Sequence, residues 1–278
     1  QNQQAGGVYS FNAQTFQEVV VETGGTSAEA MTGGVQLNII AKDGGNTLSG
    51  TFNTIYTGPK LQNGNLTDEL RSRGLTSETK VKRIYDVGVG LGGPIKRDKL
   101  WFYTAHRWWA AEDYYAGIFY NKTRGGPLYT EDRSRPDYAD TRIRDHSLRL
   151  TWQATSKHKF TGSYSVQNNC QCSVYLFLDR QPRAPEASYD AFFKPVYMAQ
   201  STWSYPATNR ILFEAGATFL KNILIEEPIL DQGVSRDDIS ILETSSNFLY
   251  NAPRNALGIA GITAGKSHDV GQHNERFS

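Results

Sequence analysis

No run of about 18 consecutive apolar residues occurs anywhere in the chain, so no segment can cross a membrane as a helix. Charge of one sign is missing too. The 29 Lys and Arg stand against 28 Asp and Glu, leaving no whole-chain field to draw the protein towards nucleic acid or an acidic surface. Cysteine is scarce: Cys170 and Cys172 lie one residue apart among 278 residues, too few for a disulfide framework and without the second ligand pair of a zinc site. They are either two ordinary loop thiols or a local disulfide. The five histidines, His106, His146, His158, His268 and His273, are scattered without metal-ligand spacing. Ser267-His268-Asp269 is contiguous, whereas catalytic triads assemble from distant segments, and the pairs Glu226-Glu227 and Asp237-Asp238 suit solvated loops. These absences point away from an enzyme, a metal or a cofactor. The first residues, Gln1 to Gly7, are polar and glycine-rich and lack the basic-then-apolar pattern of an export signal, so an exported protein would have lost that signal or carry it upstream.

What is abundant is aromatic residues, at 12%, and glycine, at 26 residues, a combination that favours strands and turns over helix. Alternation follows. In Tyr85 to Gly92, Tyr85, Val87, Val89 and Leu91 share one face, while Asp86, Gly88, Gly90 and Gly92 share the other. The same split recurs where His146, Leu148, Leu150 and Trp152 oppose Ser147, Arg149, Thr151 and Gln153. It recurs again where Phe160, Gly162, Tyr164 and Val166 oppose Thr161, Ser163, Ser165 and Gln167. Tyr197 to Tyr205 and Ile211 to Phe219 continue it, and Thr51 to Tyr56 and Leu100 to Trp109 complete about seven strands. Gly88-Val89-Gly90-Leu91-Gly92-Gly93 has the wrong spacing for a dinucleotide loop, and a strand follows where a helix should open.

Connections alternate strictly between short and long. Gly93 to Asp98, Thr155 to His158 and Pro206 to Asn209 are short; Thr57 to Arg83, Ala110 to Arg144, Asn168 to Lys194 and the tail from Lys221 are long. Long structureless loops are uncommon in compact soluble domains. The asymmetry instead matches a transmembrane β-barrel, with strands of roughly ten residues, short periplasmic turns, long outer loops and aromatic girdles. Tyr56, Trp101, Phe102, Trp108, Trp109, Trp152, Trp203, Tyr205 and Phe219 fall near the expected strand ends. The lumen-facing candidates from the alternation are Asp86, Arg149, Thr151, Gln153, Ser163 and Ser165. Tyr114, Tyr115, Tyr120 and Arg124 are candidate outer-loop contacts, set against the alternative that such loops pack on each other.

Before the first barrel strand, Gly33-Gly34-Val35-Gln36-Leu37-Asn38-Ile39-Ile40-Ala41-Lys42-Asp43-Gly44-Gly45-Asn46 frames a short strand with glycine pairs. With the preceding Gln17 to Thr32, it resembles the end of the plug domain of TonB-dependent outer-membrane receptors, in particular the Oar-like branch. Leu91-Gly92-Gly93-Pro94-Ile95-Lys96-Arg97-Asp98-Lys99-Leu100-Trp101-Phe102-Tyr103 resembles that branch's turn between its second and third strands. The resemblance covers Phe11 to about Asp98 and implies two parts: residues 1–46 as the C-terminal part of a plug, and 47–278 as the N-terminal portion of a barrel.

Such receptors close barrels of about 22 strands, so the resemblance implies a fragment: an open curved sheet that lacks the energy-coupling box and most of the plug. It assigns Gly33, Gly34, Gly44 and Gly45 to the plug–barrel junction, where backbone approaches backbone. Asn38 and Lys42 there are either plug–wall contacts or ordinary solvated residues. The implied role is energy-coupled solute uptake, with surface adhesion as a further Oar-like role. The implied partners are outer-membrane lipid, the inner-membrane TonB complex and a small solute, oligosaccharide or peptide; the implied location is the bacterial outer membrane. The competing expectations are a soluble extracellular β-sandwich or solenoid that binds carbohydrate, whose apolar faces would pack into a closed core, and a passive porin, which would leave Glu18 to Lys42 unexplained.

Overall fold

The computed structural model describes residues 9–22, 36–74, 77–173, 182–228, 233–234, 238–253 and 267–268. A short 3-10 turn at Ala13–Thr15, capped by the Asn12 side chain, leads into β1 (Phe16–Glu22), which pairs antiparallel with β2 (Gln36–Ala41). This two-stranded sheet is separate from the main one.

The main sheet is an antiparallel meander in chain order. It comprises β3 (Ser49–Thr57), β4 (Lys80–Lys96), β5 (Leu100–Asn121), β6 (Glu131–Gln153), β7 (Lys159–Cys172), β8 (Tyr189–Thr208) and β9 (Ile211–Pro228). The short helix α1 (Asp68–Ser72) lies between β3 and β4, with the Thr67 hydroxyl accepting from the Leu70 amide at its N-terminus. The hairpin β10 (Ile241–Glu243) and β11 (Phe248–Tyr250) follows β9. A two-residue strand, β12 (Ser267–His268), pairs with β9. The sheet is open: among the described residues β3 has no partner beyond β4, and β9 meets only β12 on its outer side.

Register decides the faces, because directly paired residues share a side. One row runs Gly90–Ala105–Ser147–Ser165 and the next Gly92–Tyr103–Arg149–Ser163–Gln200. These small and polar side chains form one face. The opposite face carries Phe52, Leu91, Leu148, Leu150, Trp152, Phe160, Tyr164, Phe213 and Phe219, all exposed, with Phe52 at 67% and Trp152 at 50%. A folded chain rarely leaves an apolar field this continuous open to water. The apolar side chains do not pack into a closed core, as a sandwich requires.

The seven strands match the expected number, but several run far past their expected ends. β5 has 22 residues and β6 has 23, where roughly ten suffice to cross a bilayer. The segment expected to be the long loop Ala110 to Arg144 is therefore mostly paired strand, and only residues 122–130 connect β5 to β6. The physical reason lies in cross-strand pairs that need no apolar face. Tyr114 meets Tyr138 edge-on at 6.0 Å, and Glu112 binds Lys82 at 3.2 Å and also Arg83. Lys82 also lies over the Tyr138 ring. The same extension takes Cys170 and Cys172 out of the expected loop and into the end of β7, where they are joined as a disulfide.

Candidate functional site

The polar face holds the segment that precedes β1. Asp145 of β6 is fully buried and accepts hydrogen bonds from Asn12 Nδ2 at 2.7 Å and Gln167 Nε2 at 2.8 Å. Gln167 of β7, also fully buried, accepts from the Ser10 amide at 3.0 Å and donates to the Ser10 carbonyl. One side-chain amide thus satisfies both backbone groups of one residue, as a neighbouring strand would. Ser165 donates to the Tyr9 hydroxyl at 2.9 Å, and the Tyr103 hydroxyl donates to the Gln14 carbonyl at 2.7 Å. Gln14 also bonds Asn53 and Thr51 of β3. Arg107 forms a two-point pair with Asp86 at 2.9 and 2.8 Å and reaches the Phe11 carbonyl.

Glycines make room for this docking. A Cβ on Gly88 would lie 2.3 Å from the Asn53 amide oxygen and 3.0 Å from Gln14, and one on Gly90 would lie 2.4 Å from the Tyr103 hydroxyl. The glycine row of β4 is the recess that admits Gln14 and the Tyr103 ring.

A second set of contacts fastens the connection from β2 to β3. Asp43 accepts from Arg149 and, at 2.8 Å, from Thr151. Burial alone raises the Asp43 carboxyl, but the Arg149 and Thr151 hydrogen bonds and the Arg149 charge outweigh it and hold the group below its ordinary 3.8. Asn46 Oδ1 accepts from Trp101 Nε1 at 2.8 Å and from the Asp98 amide at 2.9 Å. Gly44 sits where a Cβ would come within 2.2 Å of the Phe102 carbonyl oxygen, and backbone meets backbone there.

The junction candidates divide. Gly33 and Gly34 lie outside the described residues. Gly44 is at the close approach, while nothing lies within 4 Å of a Cβ on Gly45. The Lys42 ammonium lies 5.9 Å from the Tyr103 ring centre, whereas Asn38 is exposed on β2.

Of the candidate polar-face residues, Asp86, Arg149, Thr151 and Ser165 bond the N-terminal segment, its connection to β3 or Arg107. Ser163 lies on the same face by register, and Gln153 donates to the Thr155 and His158 carbonyls of its own turn. The alternation placed Gln167 in the polar row of β7 without making it a candidate, and it did not single out Tyr9, Ser10, Asn12, Gln14, Asp43, Asn46, Asn53, Tyr103, Arg107 or Asp145. Carrying the polar row of β6 back by two residues from Ser147 reaches Asp145, which pairs directly with Gln167. The contacts of Tyr9 to Gln14 had no local signal, because a segment without periodicity shows nothing of where it docks.

The outer-loop candidates are placed differently from expectation. Tyr114, Tyr115 and Tyr120 belong to β5, not to a loop, because the ladder with β6 continues past them. Arg124 is on the connection, and its guanidinium binds Asp238 at 2.8 Å and the Gly233 carbonyl. The Gly125 amide donates to Asn251 at 2.9 Å, the Tyr250 hydroxyl donates to the Pro127 carbonyl at 2.8 Å, and Tyr129 packs on Phe248 and Tyr250. The tip of the β5–β6 hairpin is thereby tied to the segment that follows β9. Beneath it lie buried carboxylates. Burial pushes Asp137 up to about 7 against the hydrogen bonds of the Tyr138 amide and the Tyr120 hydroxyl, and burial likewise raises Glu186.

Among curated proteins, the chain is similar to the TonB-dependent transporter Oar of Myxococcus xanthus, with 34% identity over 91 residues. That stretch covers 31% of this chain and 8% of the relative, so the chain matches a small part of that protein's length. No family model matches the chain, and no solved structure matches it significantly. The similarity supports a relationship to a TonB-dependent transporter over the aligned stretch.

Proposed function

We propose that the chain is part of a TonB-dependent outer-membrane receptor: residues 1–46 end an internal plug, and residues 47–278 build a sector of the barrel wall. The observation that carries this proposal is the division of the sheet. One face is apolar and exposed, as lipid contact requires, and the other is polar and already occupied by the Tyr9–Thr15 segment. An open sheet cannot seal a bilayer, since its edge amides and carbonyls would meet hydrocarbon, so further strands complete the wall. The extensions of β5 and β6 rise past the apolar band to the cell exterior, and the turns at residues 97–99, 154–158 and 209–210 face the periplasm.

In this proposal the inner-membrane TonB complex pulls on the plug, the bonds from Asp145, Gln167, Arg107 and Tyr103 to the segment give way, and a small solute, oligosaccharide or peptide crosses the polar lumen. The relative's name as a transporter supports uptake ahead of adhesion. The protein performs no covalent chemistry and needs no cofactor. The test is fractionation of cells expressing the native gene, followed by a double-cysteine lock, Ser10→Cys with Gln167→Cys. Recovery in the outer membrane, detergent dependence and reductant-reversible loss of solute uptake support the proposal. A stable, detergent-free soluble product would refute it.

A further inference from the structure

The exposed apolar face carries a groove of about 780 Å³ near the short turns, within the roughly 300–1,000 Å³ of small-ligand sites. Gly162, Ser201 and Ala217 give it a shallow floor, and Trp152, Phe160 and Trp203 stand around it. A Cβ on Gly162 would meet nothing within 4 Å, so the depression is open above that residue.

The turns at the groove's end are basic. The β4–β5 turn carries Arg97 and Lys99, the β6–β7 turn carries Lys157, and the β8–β9 turn carries Arg210, all exposed. Lys157 Nζ donates to the Ala207 carbonyl at 2.9 Å, which brings the β6–β7 turn against the end of β8 and its turn. The acids nearby are turned elsewhere. Asp98 accepts from Asn46 Nδ2 at 2.6 Å, Asp43 is bound to Arg149, and Glu214 is paired with Ser204 on the polar face.

His158 completes the arrangement. Its ring stacks on Tyr205 with centres 4.3 Å apart, and its Nδ1 accepts from Trp203 Nε1 at 3.1 Å. A ring nitrogen that accepts carries no proton, so the imidazole proton is on Nε2 and that N–H remains a donor, on a ring stacked beside Trp203 of the groove.

An apolar groove that ends at two adjacent cationic turns and an N–H donor is complementary to one ligand class, an amphiphile with an anionic head. On the periplasmic side of an outer membrane that is a phospholipid. We propose that this groove holds one anionic phospholipid of the periplasmic leaflet, with an acyl chain along Gly162, Ser201 and Ala217 and the phosphate against Lys157, Arg210 and His158 Nε2. The site rests on the membrane placement proposed above, because a chain outside a bilayer would not present this face to lipid.

The test reconstitutes the intact outer-membrane protein carrying this chain into vesicles that contain brominated phosphatidylglycerol or brominated phosphatidylcholine at equal mole fraction. Tryptophan quenching is measured for the wild type and for Trp203→Phe, and the difference isolates Trp203. The expected result is a preference for phosphatidylglycerol of roughly thirtyfold in the quenching constant, set by the two turn cations. Lys157→Gln with Arg210→Gln should abolish that preference while leaving quenching by phosphatidylcholine intact. Equal quenching by the two lipids would overturn the site but leave the membrane placement standing. No quenching of Trp203 by either lipid would overturn the placement itself. A preference that survives the double substitution would overturn the headgroup assignment.

Discussion

Replacing Asp145 with Asn tests whether the polar face holds the N-terminal segment. The carboxylate is fully buried and accepts from two side-chain amides, Asn12 Nδ2 and Gln167 Nε2. Asparagine keeps the volume but offers one acceptor oxygen and an NH₂ group, so one of the two donors then faces another donor. A hydrogen bond to a charged group contributes about 1.5–3 kcal/mol, and an orphaned buried donor costs a similar amount, so the segment's opening free energy should fall by about 2–3 kcal/mol. By the same arithmetic the undocked population rises roughly 30- to 150-fold.

Amide hydrogen exchange reads this directly. The Ser10 amide donates to Gln167, and the Gln14 amide donates to the Asn12 side chain. Both should exchange faster by about that factor in the variant, while the amides of the β8–β9 ladder keep their rates. Unchanged exchange at Ser10 and Gln14 would show that the network does not hold the segment. Faster exchange throughout the sheet would make Asp145 a residue of sheet stability, and the docking argument would fail.

Three further outcomes follow from single positions. Gly44→Ala should lower the melting temperature, because its Cβ would meet the Phe102 carbonyl at 2.2 Å and overpacking costs about 1–3 kcal/mol; Gly45→Ala, with open space around it, should not, and equal effects would refute the close-approach argument. Asp137, raised by burial from 3.8 to about 7, binds more protons in the folded than in the unfolded state across that interval. Stability should therefore fall as pH rises through it, and Asp137→Asn should flatten the melting temperature measured between pH 4 and pH 8. Asp43, held below its ordinary 3.8, contributes stability that is present above that value and lost as pH falls through the folded value. Asp43→Asn should thus weaken the protein at neutral pH and remove part of its acid sensitivity, as acid titration of the melting temperature would show.

The strand faces could be read from the residues in order. A side-chain period of two is local, so Tyr85 to Leu91 against Asp86 to Gly92, and the rows from Leu148 and from Ser147, were readable residue by residue, and with them the seven-strand meander and its short turns. The glycine pair allowed either a tight reversal or a close approach, and the structure has the close approach at Gly44 but not at Gly45; Asp86, Arg149 and Thr151 lay in the polar rows. The upper halves of β5 and β6 were not legible. There the strands are held by cross-strand partners such as Tyr114 with Tyr138 and the buried Glu112 with Lys82 and Arg83, and those depend on register with a segment some 25 or 30 residues away.

The tertiary structure alone decided what occupies the polar face. Asn12 and Asp145 are separated by 133 positions and Ser10 and Gln167 by 157, and no local pattern links residues that far apart. Their pairing exists only because the meander sets β6 beside β7, and because the glycines of β4 leave a recess deep enough for Gln14 and the Tyr103 ring.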